Sequence, residues 1–114
     1  RGTPVEAWND LSMTRDYLSV EDLVDVIIRS FGIHLPHSIV NVGTGRGTSL
    51  AELAGMIELV SGHPLQIDLR SSPVKAIGTN VLDTSRQVSM FGAGPRTGLE
   101  EGLRIVNDRI RGAR

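Results

Sequence analysis

The chain contains no cysteine, which excludes disulfides, thiolate catalysis and thiolate metal ligation, and permits a reducing, cytoplasmic setting. Aromatic residues make up only 4% of it, too few for the stacking platforms that hold single-stranded nucleic acid. Twelve Lys and Arg face thirteen Asp and Glu, for a net charge of −1. That balance gives no electrostatic case for nucleic acid or an anionic membrane. No apolar run approaches the ~20 residues of a membrane span, and the opening RGTPVEAW holds no signal-peptide core. The first residue is not methionine, and the chain opens just ahead of a strand-like segment. The expectation is a piece of a longer protein, with a processed mature N-terminus as the alternative.

What is present suits one globular unit. Hydrophobic residues are 39% and charged residues 22% of 114 positions, near the lower end of comfortable domain sizes. Residues 3–8 read as a strand or extended entry, Asn9 and Asp10 as a turn, and residues 16–18 as extended. Ser19 is placed to cap a helix, with Asp22 as capping-box partner and an apolar stripe of Leu23, Val24, Ile27, Ile28 and Phe31. Gly32 supplies its left-handed stop. Residues 38–42 form a short apolar strand. A second helix follows, capped by Ser49 with Glu52, presenting Leu50, Leu53, Ile57 and Val60, and ended by Gly62. Residues 65–69 alternate as a half-buried strand, and the stretch 71–79 is the least structured. Asp83 caps a short helix ending before Gly92. Thr97 and Glu100 form a capping box for a last helix with Leu99, Leu103, Val106 and Ile110 in one stripe, and Arg109 and Arg111 favour its C-terminal dipole. The order β-β-α-β-α-β-α-α makes an α/β chain.

The loop GTGRG at positions 43–47 resembles half a dinucleotide fingerprint, with Asp68 where a ribose-binding carboxylate would stand. Free amides at a helix N-terminus, together with Arg46, could hold phosphate. Against this, Thr48 occupies the place of the third glycine, and Asp68 shares a strand face with Gln66. The loop reads either as a tight turn ahead of Ser49 or as a substrate-side contact through Arg46. The histidines His34, His37 and His63 have no carboxylates at ligand spacing, so no metal site is expected.

Four segments carry a resemblance: RDYLSVEDLVDVI (15–27), NVGTGRG (41–47), NVLDTSR (80–86) and GLEEGL (98–103). Taken in this order they resemble the C-terminal part of an extended short-chain dehydrogenase/reductase, the family of NAD(P)-dependent nucleotide-sugar epimerases, dehydratases and reductases. The resemblance implies an α/β substrate-binding portion of a Rossmann-type enzyme, spanning residues 1–114 and lacking the N-terminal dinucleotide-binding half. It implies that Arg15 contacts the diphosphate of a nucleotide-diphospho-sugar, a role suited to a permanently charged fork. The alternative is a surface pair of Arg15 with Asp16 or Glu21. Asp16 and Tyr17 would shape the turn. Arg70 matches a phosphate- or ribose-contacting arginine of relatives, although Pro73 stands where they carry an aspartate.

The family's Tyr-x-x-x-Lys pair needs its two side chains one helical turn apart. The single tyrosine, Tyr17, and the single lysine, Lys75, cannot form it. No catalytic or cofactor-binding residue is therefore assigned: NAD or NADP belongs to the parent enzyme, and none is expected on this chain alone. The other classes are a free-standing phosphate- or nucleotide-binding module built on the glycine loop, and a degenerate scaffold. The apolar faces of the first helix and of residues 38–42 exceed what so short a chain can bury, so a missing N-terminal domain or self-association is expected to cover them.

Overall fold

Strand β1 (Val5–Trp8) and strand β4 (Ile67–Arg70) pair in parallel, Val5 opposite Ile67 and Trp8 opposite Arg70. Asn9 leaves β1 with φ +68°, a left-handed conformation that asparagine tolerates better than most residues. Its amide donates to the Arg70 carbonyl (2.7 Å) and its side-chain oxygen accepts from the Ser72 amide (3.0 Å). The expected turn at Asn9 and Asp10 thus also latches the end of β4. The computed structural model describes residues 2–34, 36, 39–92 and 94–113.

A second sheet of three short strands has β2 (Thr14–Arg15) at its centre. Strand β3 (Thr48–Ser49) lies antiparallel on one side, and β5 (Thr79–Asn80) lies parallel on the other. Arg15 therefore sits between Thr48 and Asn80. Helix α1 (Val20–Ser30) follows β2, and α2 (Leu50–Ser61) follows β3 directly. After β5 come α3 (Ser85–Phe91) and α4 (Leu99–Gly112), the latter packed on α2. No helix of the described residues is long and apolar enough to cross a membrane.

Several expectations hold locally. The Ser49–Glu52 capping box of α2 is complete in both directions, and Gly62 ends that helix at φ +73°. Others are corrected. Ser19 is the N-cap of α1 but its side chain makes no capping bond, and the Asp22 carboxylate accepts from the Thr97 amide (3.1 Å) rather than from the Ser19 amide. The same bond removes Thr97 from its expected box, so Gly98 stands as N-cap of α4 while Glu100 pairs with Arg104 (2.6 Å). Thr84, not Asp83, occupies the N-cap of α3, with Asp83 accepting from the Ser85 amide one step earlier (2.9 Å). Of the strand expected over 38–42, Ser38 lies outside the described residues, as does His37, and residues 39–42 are irregular. Side chains replace the missing ladder there: Arg86 donates to the Ile39 carbonyl (3.1 Å), and Asn41 to that of Asp83 (3.4 Å). The extended segment expected at 16–18 is displaced to β2, Leu65 precedes β4, and β5 begins at Thr79, the last residue of the stretch read as loop. Arg109 and Arg111 lie in the last turn of α4, where they bind Glu21 and the Ser61 carbonyl.

Helix α1 is inverted relative to a domain core. Asp22, Asp25, Val26 and Arg29 line the narrow space facing Gln87 and Phe91. Val20, Val24, Ile27, Ile28 and Phe31 are turned outward, Phe31 being 74% exposed. The whole chain exposes 8263 Å², against ~6,100 Å² for a folded monomer of its mass. Its radius of gyration is 16.7 Å and its thinnest extent 18 Å, whereas a compact chain of this length has a radius of about 13 Å. The molecule is a thin slab with one apolar side unused.

Candidate functional site

The 43–47 loop is held by one carboxylate and one amide side chain from distant parts of the chain. Asp16, the residue after β2, accepts at Oδ1 from the Thr44 amide (3.0 Å) and the Thr44 hydroxyl (2.5 Å). Its Oδ2 accepts from the Gly45 amide (2.9 Å). From α3, Gln87 accepts from the Gly43 amide (2.9 Å) and donates to the Gly43 carbonyl (3.2 Å). Partial burial pushes the Asp16 carboxyl up, but bonds from the Thr44 hydroxyl and the amides of Thr44, Gly45 and Leu82 outweigh it and hold it below the ordinary range.

That shift has a sign that can be tested. A folded pKa below the unfolded one adds stability above the unfolded value, and the gain is lost as pH falls through the folded value. Unfolding by urea is therefore expected to show stability declining as pH drops below ~3.9, with a shallower decline in Asp16→Asn. Asp10 and Asp83 are lowered in the same direction by bonds to Ser12 and Ser85, so only the difference between the two proteins reports Asp16. Identical pH profiles would contradict the clamp.

The glycines follow from this closeness. A Cβ on Gly43 would lie 2.7 Å from Asp16 Oδ2, and one on Gly47 would lie 2.5 Å from Thr14 Cγ2. Gly45 has φ +71° and faces the Thr84 hydroxyl. The tight-turn reading accounts for all three. The phosphate-cradle reading drew on free backbone donors, and the amides of residues 43–46 and 49–52 are engaged within the chain. The amides of Gly43, Thr44 and Gly45 are taken as described, and that of Arg46 by the Thr44 hydroxyl oxygen (3.0 Å). At the start of α2, Leu50 and Ala51 donate to the carbonyls of Met13 and Leu11, and Ser49 and Glu52 bond reciprocally. Asp68, the supposed ribose ligand, pairs with Arg70 at 2.7 Å.

What the loop leaves for an anion is the Arg46 side chain. It is exposed at a cleft of about 430 Å³ bordered by Tyr17, Thr44, Glu52, Met56 and Glu101. Among the described residues Arg46 makes no ion pair, and neither does Arg15, whose guanidinium donates to the Thr14 carbonyl (2.9 Å). The surface pairing considered for Arg15 is absent because Asp16 is committed to the loop and Glu21 to Arg109. Arg15 is not among the residues lining that cleft; it stands in β2, opposite Thr48 of β3. Arg70 is 51% exposed at the end of β4 and already pairs with Asp68 and, at 3.4 Å, with Glu6. Among the described residues no three His, Asp or Glu side chains converge as a metal site would require. Sequence reasoning missed Gln87 and Thr44. A glutamine in a short polar helix carries no signal of burial, and Thr44 was masked by the glycines around it.

No family model matches the chain. It is 35% identical over 106 residues to a dTDP-4-dehydro-6-deoxy-D-allose reductase from a Streptomyces species, covering 90% of this chain and 32% of the relative. It is 32% identical over 102 residues to the UDP-glucose 4-epimerase of Mycolicibacterium smegmatis, covering 90% of this chain and 33% of the relative. Among solved structures, MoeE5 in complex with UDP-glucuronic acid and NAD superposes with a TM-score of 0.88 at 27% identity, over 97% of this chain and 38% of that one. The UDP-glucose 4-epimerase of Thermotoga maritima, solved with UDP-glucose, shares the fold at a TM-score of 0.87 and 24% identity, over 96% of this chain and 35% of its own. The chain spans about a third of the length of the curated relatives it matches. Its α/β fold is that of a C-terminal portion of the extended short-chain dehydrogenase/reductases, and its relatives and structural neighbours are nucleotide-sugar epimerases and reductases.

Proposed function

We propose that this chain is the nucleotide-diphospho-sugar-binding portion of an NAD- or NADP-dependent epimerase, dehydratase or reductase of the cytoplasm. Arg15 and Arg46 hold the diphosphate, with Arg70 contacting phosphate or ribose from the end of β4. The observation that supports this most strongly is the state of the charges around the loop. Asp16, the carboxylate next to Arg15, is spent on the Thr44 hydroxyl and the loop amides, and among the described residues neither Arg15 nor Arg46 forms an ion pair. Two guanidiniums that make no ion pair among the described residues, on adjoining chain segments, suit a diphosphate, with Glu52, Glu100 and Glu101 lining the same cleft as Arg46. The outward apolar face of α1 is covered by the rest of the enzyme or by a second copy. The hydride cofactor and the tyrosine–lysine pair lie on that remainder, so the 114-residue chain on its own turns over no nucleotide sugar.

Calorimetric titration with UDP-glucose tests this. A charge-assisted contact contributes ~1.5–3 kcal/mol, so Arg46→Ala and Arg15→Ala are each expected to weaken binding about 10- to 100-fold. Unchanged affinity in both variants would overturn the assignment. So would tighter binding of NAD than of UDP-glucose, which favours the nucleotide-module reading, or turnover by the chain alone.

A further inference from the structure

The Thr44 hydroxyl links the two guanidinium-bearing segments in a way the arginines themselves do not. A hydroxyl has one proton to donate and lone pairs with which to accept. The Thr44 proton goes to Asp16 Oδ1 at 2.5 Å, and the oxygen accepts the Arg46 amide at 3.0 Å. The second carboxylate oxygen holds Gly45, at φ +71°, the residue whose turn brings position 46 back over position 44. The backbone of Arg46 is thus tied through two bonds to the residue that follows Arg15. Gln87 anchors the other end of the same turn at Gly43 and is only 2% exposed, so the loop is fixed from both sides. Charge-assisted acceptance from the Thr44 hydroxyl and from the amides of Thr44 and Gly45, with Leu82 beside them, makes the carboxylate a stiff anchor.

We propose that Asp16 and Thr44 are positioning residues, an acid–hydroxyl relay that holds the Arg46 backbone at a fixed offset from Arg15. The relay sets the spacing at which both guanidiniums meet one diphosphate, and so rests on the functional reading above. A carboxylate beside a phosphate-binding arginine would ordinarily weaken anion binding. Here its charge is turned toward amides, and it orders the arginines instead.

The test uses the 114-residue chain with UDP as probe. Thr44→Val removes the hydroxyl while keeping the branched shape, whereas Thr44→Ser keeps the hydroxyl. Thr44→Val is expected to weaken UDP binding about 5- to 10-fold, with Thr44→Ser within about 2-fold of the unsubstituted chain. Hydrogen exchange supplies a readout free of ligand: the Arg46 amide of the unsubstituted chain should be protected, and Thr44→Val should release it. An unprotected Arg46 amide overturns the relay. Loss of protection in Thr44→Val without loss of UDP affinity reduces the hydroxyl to a structural brace and also overturns the proposal. If Arg46→Ala leaves UDP binding unchanged, or the unsubstituted chain binds no UDP, the diphosphate reading fails and takes the positioning role with it. In that case the exchange data still report whether the tie itself exists.

Discussion

Replacing Gln87 with leucine is expected to lower the unfolding free energy by about 2–4 kcal/mol, read as a shifted urea midpoint at unchanged slope. Gln87 is the most fully buried side chain described, at 2% exposure, and it satisfies both the amide and the carbonyl of buried Gly43. Leucine fills a similar volume but offers neither partner, so two backbone groups lose their bonds at once. A stranded buried group costs ~1–3 kcal/mol, and a domain this small has little stability in reserve. Gln87→Glu separates the contributions. It keeps an acceptor for the amide, loses the donor to the carbonyl, and places a charge where water does not reach. It is expected to be at least as damaging as leucine at neutral pH and to recover partly in acid. A leucine variant with the original midpoint would show that the loop is held by Asp16 alone.

Gly47→Ala is expected to cost about 1–3 kcal/mol by overpacking, a fall of roughly 5–15 °C in thermal midpoint. The added carbon would lie 2.5 Å from Thr14 Cγ2 and 2.8 Å from Val81 Cγ2. Both methyls belong to β-branched side chains with little rotamer freedom. Thr14 is half of β2, and Val81 directly follows β5. Relief therefore means parting the three-stranded sheet at its centre, where Arg15 also sits. UDP affinity should fall together with stability. Gly2→Ala, at a position with open space around it, is the control and should change neither.

Helices α1, α2 and α4 were legible because each is long enough for periodicity to show, the short α3 only from its flanking turn residues, and the capping box of α2 because both of its bonds are local. The failures share a cause: a long-range partner outcompeted a local one. Asp22 and Thr97 each had a plausible helix-capping role, but they bind one another across 75 positions. Residues 39–42 are apolar enough for a strand, yet the Arg86 side chain takes the Ile39 carbonyl and Asn41 donates to the Asp83 carbonyl instead. The outward apolar stripe of α1 was foreseeable, since its hydrophobic residues outnumber what a neighbour within 114 positions could cover. In the candidate site, the arginines were visible from the motif that carries them. The clamp was not. No spacing rule says that a buried glutamine from α3 will hold a glycine 44 positions earlier, or that an acid next to an arginine will ignore it.

The most direct measurement is a titration of the isotopically labelled chain with UDP-glucose, following the guanidinium Nε–Hε resonances of every arginine. Large shifts confined to Arg15 and Arg46, with a smaller one at Arg70 as its pair with Asp68 adjusts, are the expected result. If those signals stay still while backbone amides of residues 43–52 move, the anion is being held by the turn and helix start, and the assignment of the diphosphate to the arginines is wrong.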